Sequence, residues 1–172
     1  MIITTDRLTL RPITISDAGD VYEYAKGKQV GPNAGWKPHE HIEESKEIIQ
    51  QIFLDKENIF GIVLKNSGKL IGSVGLIEDP KREYDRVKML GYALGEAHWG
   101  NGFMTEAAEA VLTYGFKTLE LELISAYCYP FNQRSQKVLE KLGFLYEGTL
   151  SLSEKLYNGK VYDHMCFALP AK

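Results

Sequence analysis

The residues of this chain best suited to chemistry form a glycine-containing stretch between a predicted strand and a predicted helix. It reads Trp99-Gly100-Asn101-Gly102-Phe103-Met104-Thr105. Glycine lets a backbone approach a ligand closely and adopt conformations that a side chain forbids. The unpaired amides at the start of the following helix would then point at a bound anion. The stretch indicates a pyrophosphate-binding loop, although two glycines before a helix also fit a simple tight turn.

Two other phosphate-binding motifs do not fit the same stretch. The dinucleotide fingerprint needs a third glycine, and Thr105 stands in its place. A Walker A loop needs Gly-Lys-Ser/Thr after four intervening residues, and the chain contains no such run. We therefore expect neither a kinase nor a nicotinamide-dependent enzyme.

A second motif, residues 132–144, reads NQRSQKVLEKLGF. Together with the glycine loop it resembles the GNAT superfamily of acyl-CoA-dependent N-acyltransferases. The loop matches the family spacing Q/R-x-x-G-x-G/A with Gly102 as the central glycine, while Trp99 and Met104 depart from the pattern. Both motifs, with residues 7–13 (RLTLRPI) and 35–38 (GWKP), are similar to the ribosomal-protein N-terminal acetyltransferase branch. The resemblance covers nearly the whole chain.

The resemblance implies acetyl-CoA as cosubstrate and no metal. The strand before the loop would offer free backbone groups to the pantetheine arm, and the loop amides would hold the pyrophosphate. Asn132 corresponds to a family Asn that contacts the arm, and it would also cap a helix. Cations on that helix, Lys141 among them, would face the 3′-phosphate or lie solvated on the surface. The implied cofactor-binding residues are Tyr92, Ala93, Leu94, Trp99, Gly100, Asn101, Gly102, Phe103, Met104, Thr105, Asn132, Arg134 and Lys137.

Amine attack on a thioester needs a group that accepts the amine proton and a group that protonates the leaving thiolate. Many family members use a Tyr seven residues after the motif Asn as this acid, but Leu139 stands there. The ribosomal-protein branch implies Ser135 as a substitute acid and Glu154 as a base acting through water. Another common base position is Met89, which cannot accept a proton. We therefore predict Ser135 and Glu154 as the catalytic residues, against ordinary roles in a helix turn and on a strand surface.

A site whose only base acts through water favours an acceptor amine that is easy to deprotonate, such as an α-amine. Deprotonating an α-amine at pH 7 costs about 1 kcal/mol, whereas a lysine amine costs about 4–5 kcal/mol. We expect the acceptor to be a peptide or protein N-terminus or a small molecule with an α-amine. The candidate acceptor contacts are Trp36 and His39, in a loop rich in Gly and Pro, and Tyr127, on the strand before Asn132.

The spacing of apolar residues and of turn residues predicts the helices and strands that must position these side chains. Residues 7–12 alternate as a strand, Ser16 is a candidate N-cap, and residues 28–38 are predicted to be a loop. A second helix is predicted to place Ile42, Ile49, Ile52 and Phe53 on one apolar face. A hairpin over residues 59–77 follows it, and Asn158-Gly159 marks another hairpin. The predicted order is β-α-α-β-β-β-α-β-α-β-β. This is an α/β fold of the GNAT type, a mostly antiparallel mixed sheet flanked by about four helices.

Composition sets the remaining expectations. The chain has 172 residues and a net charge of −3, which suits one domain over residues 1–172 and gives no electrostatic case for nucleic acid. No apolar run approaches a membrane span or a secretion signal. Cys128 and Cys166 lack metal-ligand spacing, as expected of free thiols in a cytoplasmic protein. Whether a homodimer forms through the C-terminal strands is left open.

Two alternatives to an α-amine acetyltransferase remain at this point. Apolar Leu139 and Met89 would also fit a protein that binds acetyl-CoA as a sensor or partner module without catalysis. The acidic runs at 40–47 and 78–83 would fit an acetyltransferase for cationic antibiotics or polyamines, although solvated surfaces explain such runs equally well.

Overall fold

The computed structural model describes residues 1–172, and its strands form one eight-stranded sheet in the order β1-β2-β3-β4-β5-β6-β8-β7. The strands are β1 (Ile3–Thr4), β2 (Leu8–Arg11), β3 (Ile59–Leu64), β4 (Leu70–Ile77), β5 (Val87–Leu94), β6 (Leu123–Cys128), β7 (Leu145–Lys155) and β8 (Val161–Pro170). The helices are α1 (Ala18–Ala25), α2 (Val30–Ala34), α3 (Ile42–Ile48), α4 (Phe103–Lys117) and α5 (Gln133–Lys141). The predicted order of elements is confirmed, with β1 and α2 as additions.

Helices cover both faces of the sheet. The buried apolar residues form two cores, one packed against α4 and the other against α1. Two adjacent residues of β3 divide between them, since Ile62 lies in the first core and Val63 in the second. Side chains alternate between the faces of a strand, so the two cores lie on opposite sides. One face of α4 is buried, and its residues recur at helical spacing: Met104, Ala107, Ala108, Val111 and Leu112. The prediction of an α/β mixed sheet flanked by helices is confirmed.

Every neighbouring strand pair is antiparallel except β5 and β6. These two run parallel and pair only over Val87–Met89 and Leu123–Ser125. Beyond that point β5 stays paired with β4 as far as Leu94, and β6 stays paired with β8 as far as Cys128. The sheet therefore opens into a gap between the C-terminal halves of β5 and β6.

Three local predictions were wrong. Ser16 does not cap α1, because residues 15–17 form a 3₁₀ turn and Asp17 is the residue before α1. The predicted loop at 28–38 contains the short helix α2, which ends at Gly35 in a left-handed conformation (φ 90°). The expected apolar face after α3 is broken, since a π-helical turn over Ile49–Phe53 leaves Ile52 exposed while Ile49 is buried.

No helix in the structure combines the length and the apolar character needed to span a bilayer.

Candidate functional site

The gap between β5 and β6 forms the floor of a cleft with a volume of about 240 Å³. The amide of Gly95 donates to the carbonyl of Ile71 in β4. Alternate residues of a strand direct their N–H and C=O groups to the same neighbouring strand. The backbone groups of Leu94 and Tyr92, one and three residues before Gly95, therefore face away from β4 and into the gap. The indole N–H of Trp99 donates a 2.7 Å hydrogen bond to the Leu94 carbonyl. The floor therefore presents the backbone groups of Tyr92 and the amide of Leu94 as a free strand edge, with which an extended ligand can pair.

The glycine loop, residues 99–105, forms one wall of the cleft. Gly100 and Gly102 have φ values of 78° and 77°, which favour glycine. The amides of residues 100–105 donate to no other backbone group, and the first backbone bond of α4 runs from Glu106 to the Gly102 carbonyl. A row of free amides at the start of a 15-residue helix is suited to binding a phosphate.

Cations from α5 lie along the same cleft. The carbon at the centre of the Arg134 guanidinium sits 4.3 Å from the centre of the Trp99 ring, a cation–π contact. Lys137 and Lys141 also line the cleft, at the three- and four-residue spacing that places them on one helix face with Arg134. The donor set of free amides and three cations fits a polyphosphate group, although the chain as a whole carries a net charge of −3.

The structure brings most of the predicted cofactor-binding residues together. Asn101 alone among them does not line the cleft, because its side chain donates to the carbonyls of His98 and Trp99 and its own carbonyl accepts from Arg7. The residues that line the cleft are Tyr92, Ala93, Leu94, Trp99, Gly100, Gly102, Phe103, Met104, Thr105, Asn132, Arg134 and Lys137. Their roles toward a ligand stay predictions.

Asn132 joins two walls of the cleft. Its side-chain oxygen accepts from the amide of Ser135 at 3.1 Å, so it is the N-cap of α5. Its side-chain nitrogen donates to the carbonyl of Asn33 in α2, also at 3.1 Å. The polar atoms of this side chain are therefore used to hold α5 against α2.

Ser135, the predicted acid, lines the cleft and is 8 % exposed. Its hydroxyl oxygen lies 2.7 Å from the phenol oxygen of Tyr92 on β5. Burial raises the pKa of the neighbouring Cys128 thiol to about 11, so Cys128 stays protonated at neutral pH. Leu139, one helical turn after Ser135, is completely buried in the core.

Glu154, the predicted base, lies on β7 and does not line the cleft itself. Its Oε2 accepts from the Tyr129 phenol at 2.6 Å and lies 3.1 Å from His164 Nε2. Burial, with Lys81 nearby, lowers the pKa of His164 although Glu154 opposes this, so the ring is neutral at pH 7. Nδ1 of the ring lies 2.9 Å from the Ser153 hydroxyl. With Nε2 carrying the proton, His164 donates to Glu154 and accepts from Ser153.

Glu154 also lies close to the cleft wall formed by α2. A Cβ built on Gly35, at the end of α2, would be 2.7 Å from the Tyr129 phenol oxygen and 3.8 Å from Glu154 Oε1. Asn33 and Ala34, immediately before Gly35, line the cleft. The carboxylate is therefore placed beside one end of the cleft.

The three predicted acceptor contacts are not brought to the cleft lining. The Trp36 and His39 rings are 5.4 Å apart, and His39 Nδ1 lies 2.8 Å from the hydroxyl of fully buried Ser45. The Tyr127 phenol donates to the buried carboxylate of Asp79 and accepts from Arg82 at 2.6 Å. These contacts fix local structure, and an acceptor role for the three residues stays a prediction.

Several residues of the site had no sequence signal that singled them out. Val30, Asn33 and Ala34 line the cleft from α2, inside a segment expected to be a loop. The side chains of Tyr129, directly after β6, and of His164, on β8, reach Glu154. Period-two alternation along these strands gives the face of each side chain, but the pairing register that brings them together is a tertiary feature.

No group of three or more His, Cys, Asp or Glu side chains is arranged to hold a metal ion.

Comparison with known proteins gives consistent matches. A family model described as Acetyltransferase (GNAT) domain matches residues 7–145. An uncharacterized N-acetyltransferase p20 of Bacillus licheniformis is 34 % identical over 96 % of this chain and 93 % of its own length. The [ribosomal protein uS5]-alanine N-acetyltransferase of Escherichia coli (strain K12) is 29 % identical over 97 % of this chain and 89 % of its own.

A solved structure is also similar over most of the chain. The microcin C7 self-immunity acetyltransferase MccE, in complex with acetyl-CoA and AMP, superposes with a TM-score of 0.81 at 25 % identity. The match covers 97 % of this chain and 94 % of that one.

Proposed function

This chain belongs to the GNAT acetyltransferase family, and on that basis we propose that it transfers the acetyl group of acetyl-CoA to an α-amine. The acceptor we infer is the N-terminus of a peptide or protein, or a small molecule carrying an α-amine. The observation that carries the proposal is the arrangement of Glu154, whose Oε2 is held by Tyr129 and His164 while Oε1 has no hydrogen-bond partner in the chain.

The donor side of the cleft supports acetyl-CoA as the cosubstrate, which supplies an activated acetyl thioester. The free amides of residues 100–105 would hold its pyrophosphate, with Arg134 adding charge from α5. Lys137 and Lys141 would face the 3′-phosphate from the same helix. The backbone groups of Tyr92 and the amide of Leu94 would pair with the pantetheine arm along the open edge of β5.

Ser135 is proposed as the acid of the reaction. Its hydroxyl lies beside the Tyr92 phenol of β5, and the residue lines the cleft although it is mostly buried. Asn132 fixes the backbone of Ser135 through the N-cap bond. A hydroxyl held in this way would protonate the departing sulfur.

Glu154 is proposed as the base. Two donors on Oε2 fix the carboxylate plane and leave Oε1 to accept a proton from the amine, directly or through one water. Burial and the neighbouring Glu154 carboxylate raise the pKa of Tyr129, so its phenol remains a donor. A single carboxylate is a modest base, which suits an α-amine with a pKa of about 8 better than a lysine amine with a pKa of about 10.4.

The relatives add support for an α-amine. The Escherichia coli relative is named for the acetylation of an alanine of ribosomal protein uS5, and it covers 97 % of this chain. Its identity of 29 % does not carry that particular acceptor over, but it agrees with an α-amine as the chemical class.

The two alternatives lose support from the positions of the residues on which they rested. Leu139 is fully buried in the core and Met89 does not line the cleft, so these two apolar residues are not evidence that the cleft lacks catalytic groups. In the acidic runs, Glu40 pairs with Lys37, Glu78 pairs with Lys88, and neither glutamate lines the cleft. A cleft rich in carboxylates, as expected for a polyamine or a cationic antibiotic, is therefore not supported.

The test compares two peptides of the same length, one with a free N-terminus and no lysine, the other Nα-blocked with one lysine. Release of free coenzyme A from acetyl-CoA should be faster with the first peptide, and Glu154→Gln should slow it by about 100-fold or more. Faster lysine turnover would overturn the α-amine proposal. Tight acetyl-CoA binding with no release across a wide panel of amines would favour the sensor instead.

A further inference from the structure

Two hydroxyl groups from distant parts of the chain meet inside the cleft. Tyr92, on β5, and Ser135, on the first turn of α5, are 43 positions apart. Their side-chain oxygens lie 2.7 Å from each other, and the Tyr92 oxygen is also 3.4 Å from the Ser135 carbonyl. Both residues line the cleft. Any ligand group that reaches Ser135 therefore meets a hydroxyl that is already hydrogen-bonded.

The direction of this hydrogen bond follows from chemistry and burial. A phenol, with a pKa of about 10, is a much stronger donor than an alkyl hydroxyl. Burial raises the pKa of Tyr92 further, with the Ser135 hydrogen bond opposing, so the phenol keeps its proton at neutral pH. The phenol oxygen has a second acceptor within reach in the Ser135 carbonyl. The phenol has a single hydrogen, and its 2.7 Å contact with the Ser135 hydroxyl is much shorter than its 3.4 Å contact with the carbonyl, which points to the hydroxyl oxygen as its acceptor.

A hydrogen bond donated by Tyr92 occupies one lone pair of the Ser135 hydroxyl oxygen. It therefore restricts the rotation of the Ser135 O–H group. The direction toward β5 is then closed to the serine hydrogen. Because Ser135 lines the cleft, its hydrogen is left to face the cleft or the neighbouring Cys128 thiol, a weak partner. The serine hydrogen is thereby directed to where a reacting group would lie.

We propose that Tyr92 is a positioning residue that orients the hydroxyl hydrogen of Ser135 toward the leaving sulfur. The inference rests on the proposed function, since it takes Ser135 as the acid. The amine nitrogen forms the C–N bond as the C–S bond breaks, and the sulfur keeps the electron pair and takes the Ser135 proton. The amine proton leaves through Glu154, and Ser135 regains a proton from solvent. Tyr92 keeps its own proton and stabilises the negative charge that develops on the serine oxygen.

The test uses Tyr92→Phe, which keeps the ring and removes only the phenol oxygen. The matched control is Tyr114→Phe, which removes a phenol hydrogen bond of similar length, 2.6 Å to Asn58, on α4 outside the cleft. Tyr92→Phe should lower kcat by roughly threefold to tenfold. The KM for acetyl-CoA and the affinity for coenzyme A should remain those of the parent, whereas Tyr114→Phe should leave kcat unchanged.

A double variant separates positioning from an independent role. Because Tyr92 acts through Ser135, the variant Y92F/S135A should be no slower than Ser135→Ala alone. A kcat of Tyr92→Phe equal to that of Tyr114→Phe would overturn the inference, as would additive losses in the double variant. A loss of coenzyme A affinity that accounts for the whole effect would also overturn it, in favour of a packing role.

The same variants distinguish failure of the inference from failure of the proposed acid. If Ser135→Ala retains full kcat, the assignment of Ser135 fails. If Tyr92→Phe is then still slow, Tyr92 acts as the proton donor itself and the positioning role is wrong. If Ser135→Ala is slow and Tyr92→Phe is not, only the inference about Tyr92 fails.

Discussion

Tyr129, directly after β6, donates a 2.6 Å hydrogen bond to Oε2 of Glu154, which lies 25 positions later in the chain on β7. In the sheet, β8 separates β6 from β7. The bond links the end of β6, beside the cleft, to the carboxylate proposed as the base. His164, on the strand between them, approaches the same oxygen at 3.1 Å. The orientation of Glu154 is therefore set by two side chains rather than by its own strand.

We expect Tyr129→Phe to lower kcat for a free N-terminal peptide by roughly tenfold to 100-fold, because a hydrogen bond to a charged group contributes about 1.5–3 kcal/mol. The suitable control is Tyr146→Phe, which removes a 2.7 Å phenol contact with Thr149 at the exposed edge of the sheet. Steady-state kinetics at saturating acetyl-CoA give the comparison. Equal kcat values for the two variants would contradict a role for the Tyr129–Glu154 bond.

The glycine loop gives a prediction in which strain and binding can be separated. Gly102 has a φ of 77°, and Gly68, in the hairpin turn between β3 and β4, has a φ of 70°. A Cβ at Gly68 meets nothing within 4 Å, and one at Gly102 meets only Arg7 at 3.5 Å. Alanine at either position should destabilise the fold by about 1–2 kcal/mol through the left-handed backbone alone.

Only the loop substitution should change binding. Gly102→Ala should raise the Kd for acetyl-CoA by about tenfold, or about 1.4 kcal/mol, because a methyl group then stands where a phosphate approaches the amides. Calorimetric titration measures the Kd, and denaturant unfolding checks that both variants lose similar stability. Unchanged affinity in Gly102→Ala would argue against a phosphate at this loop.

Arg134 is expected to contribute charge to the same phosphate. Arg134→Ala should weaken acetyl-CoA binding by about 10- to 100-fold, the effect of a charged hydrogen bond, and the loss should shrink as salt is added. Arg134→Lys should retain part of the affinity, since it keeps the charge but loses the planar stack on Trp99. Arg86→Ala is the control, because that arginine pairs with Glu122 at the surface outside the cleft. A similar effect of both alanine variants would remove Arg134 from the binding site.

Asp79 gives a prediction about stability and pH. Its carboxylate accepts from Ser125 at 2.6 Å, from the Lys81 amide and from Tyr127, and it pairs with Arg82. Burial by itself would raise the pKa of Asp79, but these hydrogen bonds hold it below its usual value. Stability from the ionised form is therefore present above the unfolded pKa of about 3.9 and is lost as pH falls through the lower folded pKa.

Asp79→Asn should lower the unfolding free energy at pH 7 by about 1–3 kcal/mol, and the difference from the parent should narrow as the pH is lowered below about 3.9. Glu78 immediately precedes Asp79 and has an 85 % exposed side chain. Glu78→Gln should therefore change the unfolding free energy little at any pH. Urea unfolding at several pH values provides the measurement. A stability difference that stays constant with pH would mean that the charge of Asp79 is not what the network stabilises.

The sequence by itself determined the elements and motifs whose signals are local. A glycine loop ahead of a helix, the Asn132 N-cap, the buried face of α4 and the two hairpins each depend on residues within a few positions of one another. Hydrogen bonds of a turn and the period of a helix are read over such short spans. These signals predicted the order of elements, and the family resemblance of the two motifs placed the expected cofactor site at β5, the glycine loop and α5.

The tertiary structure alone decided which distant side chains meet. Tyr92 contacts Ser135 across 43 positions, and Tyr127 contacts Asp79 across 48, which holds Tyr127 in a buried network. Such pairs depend on strand register and on the point where β5 and β6 part, and a shift of one residue would turn each side chain to the other face. No short stretch of sequence contains that information, because it arises when separate strands pack into one sheet.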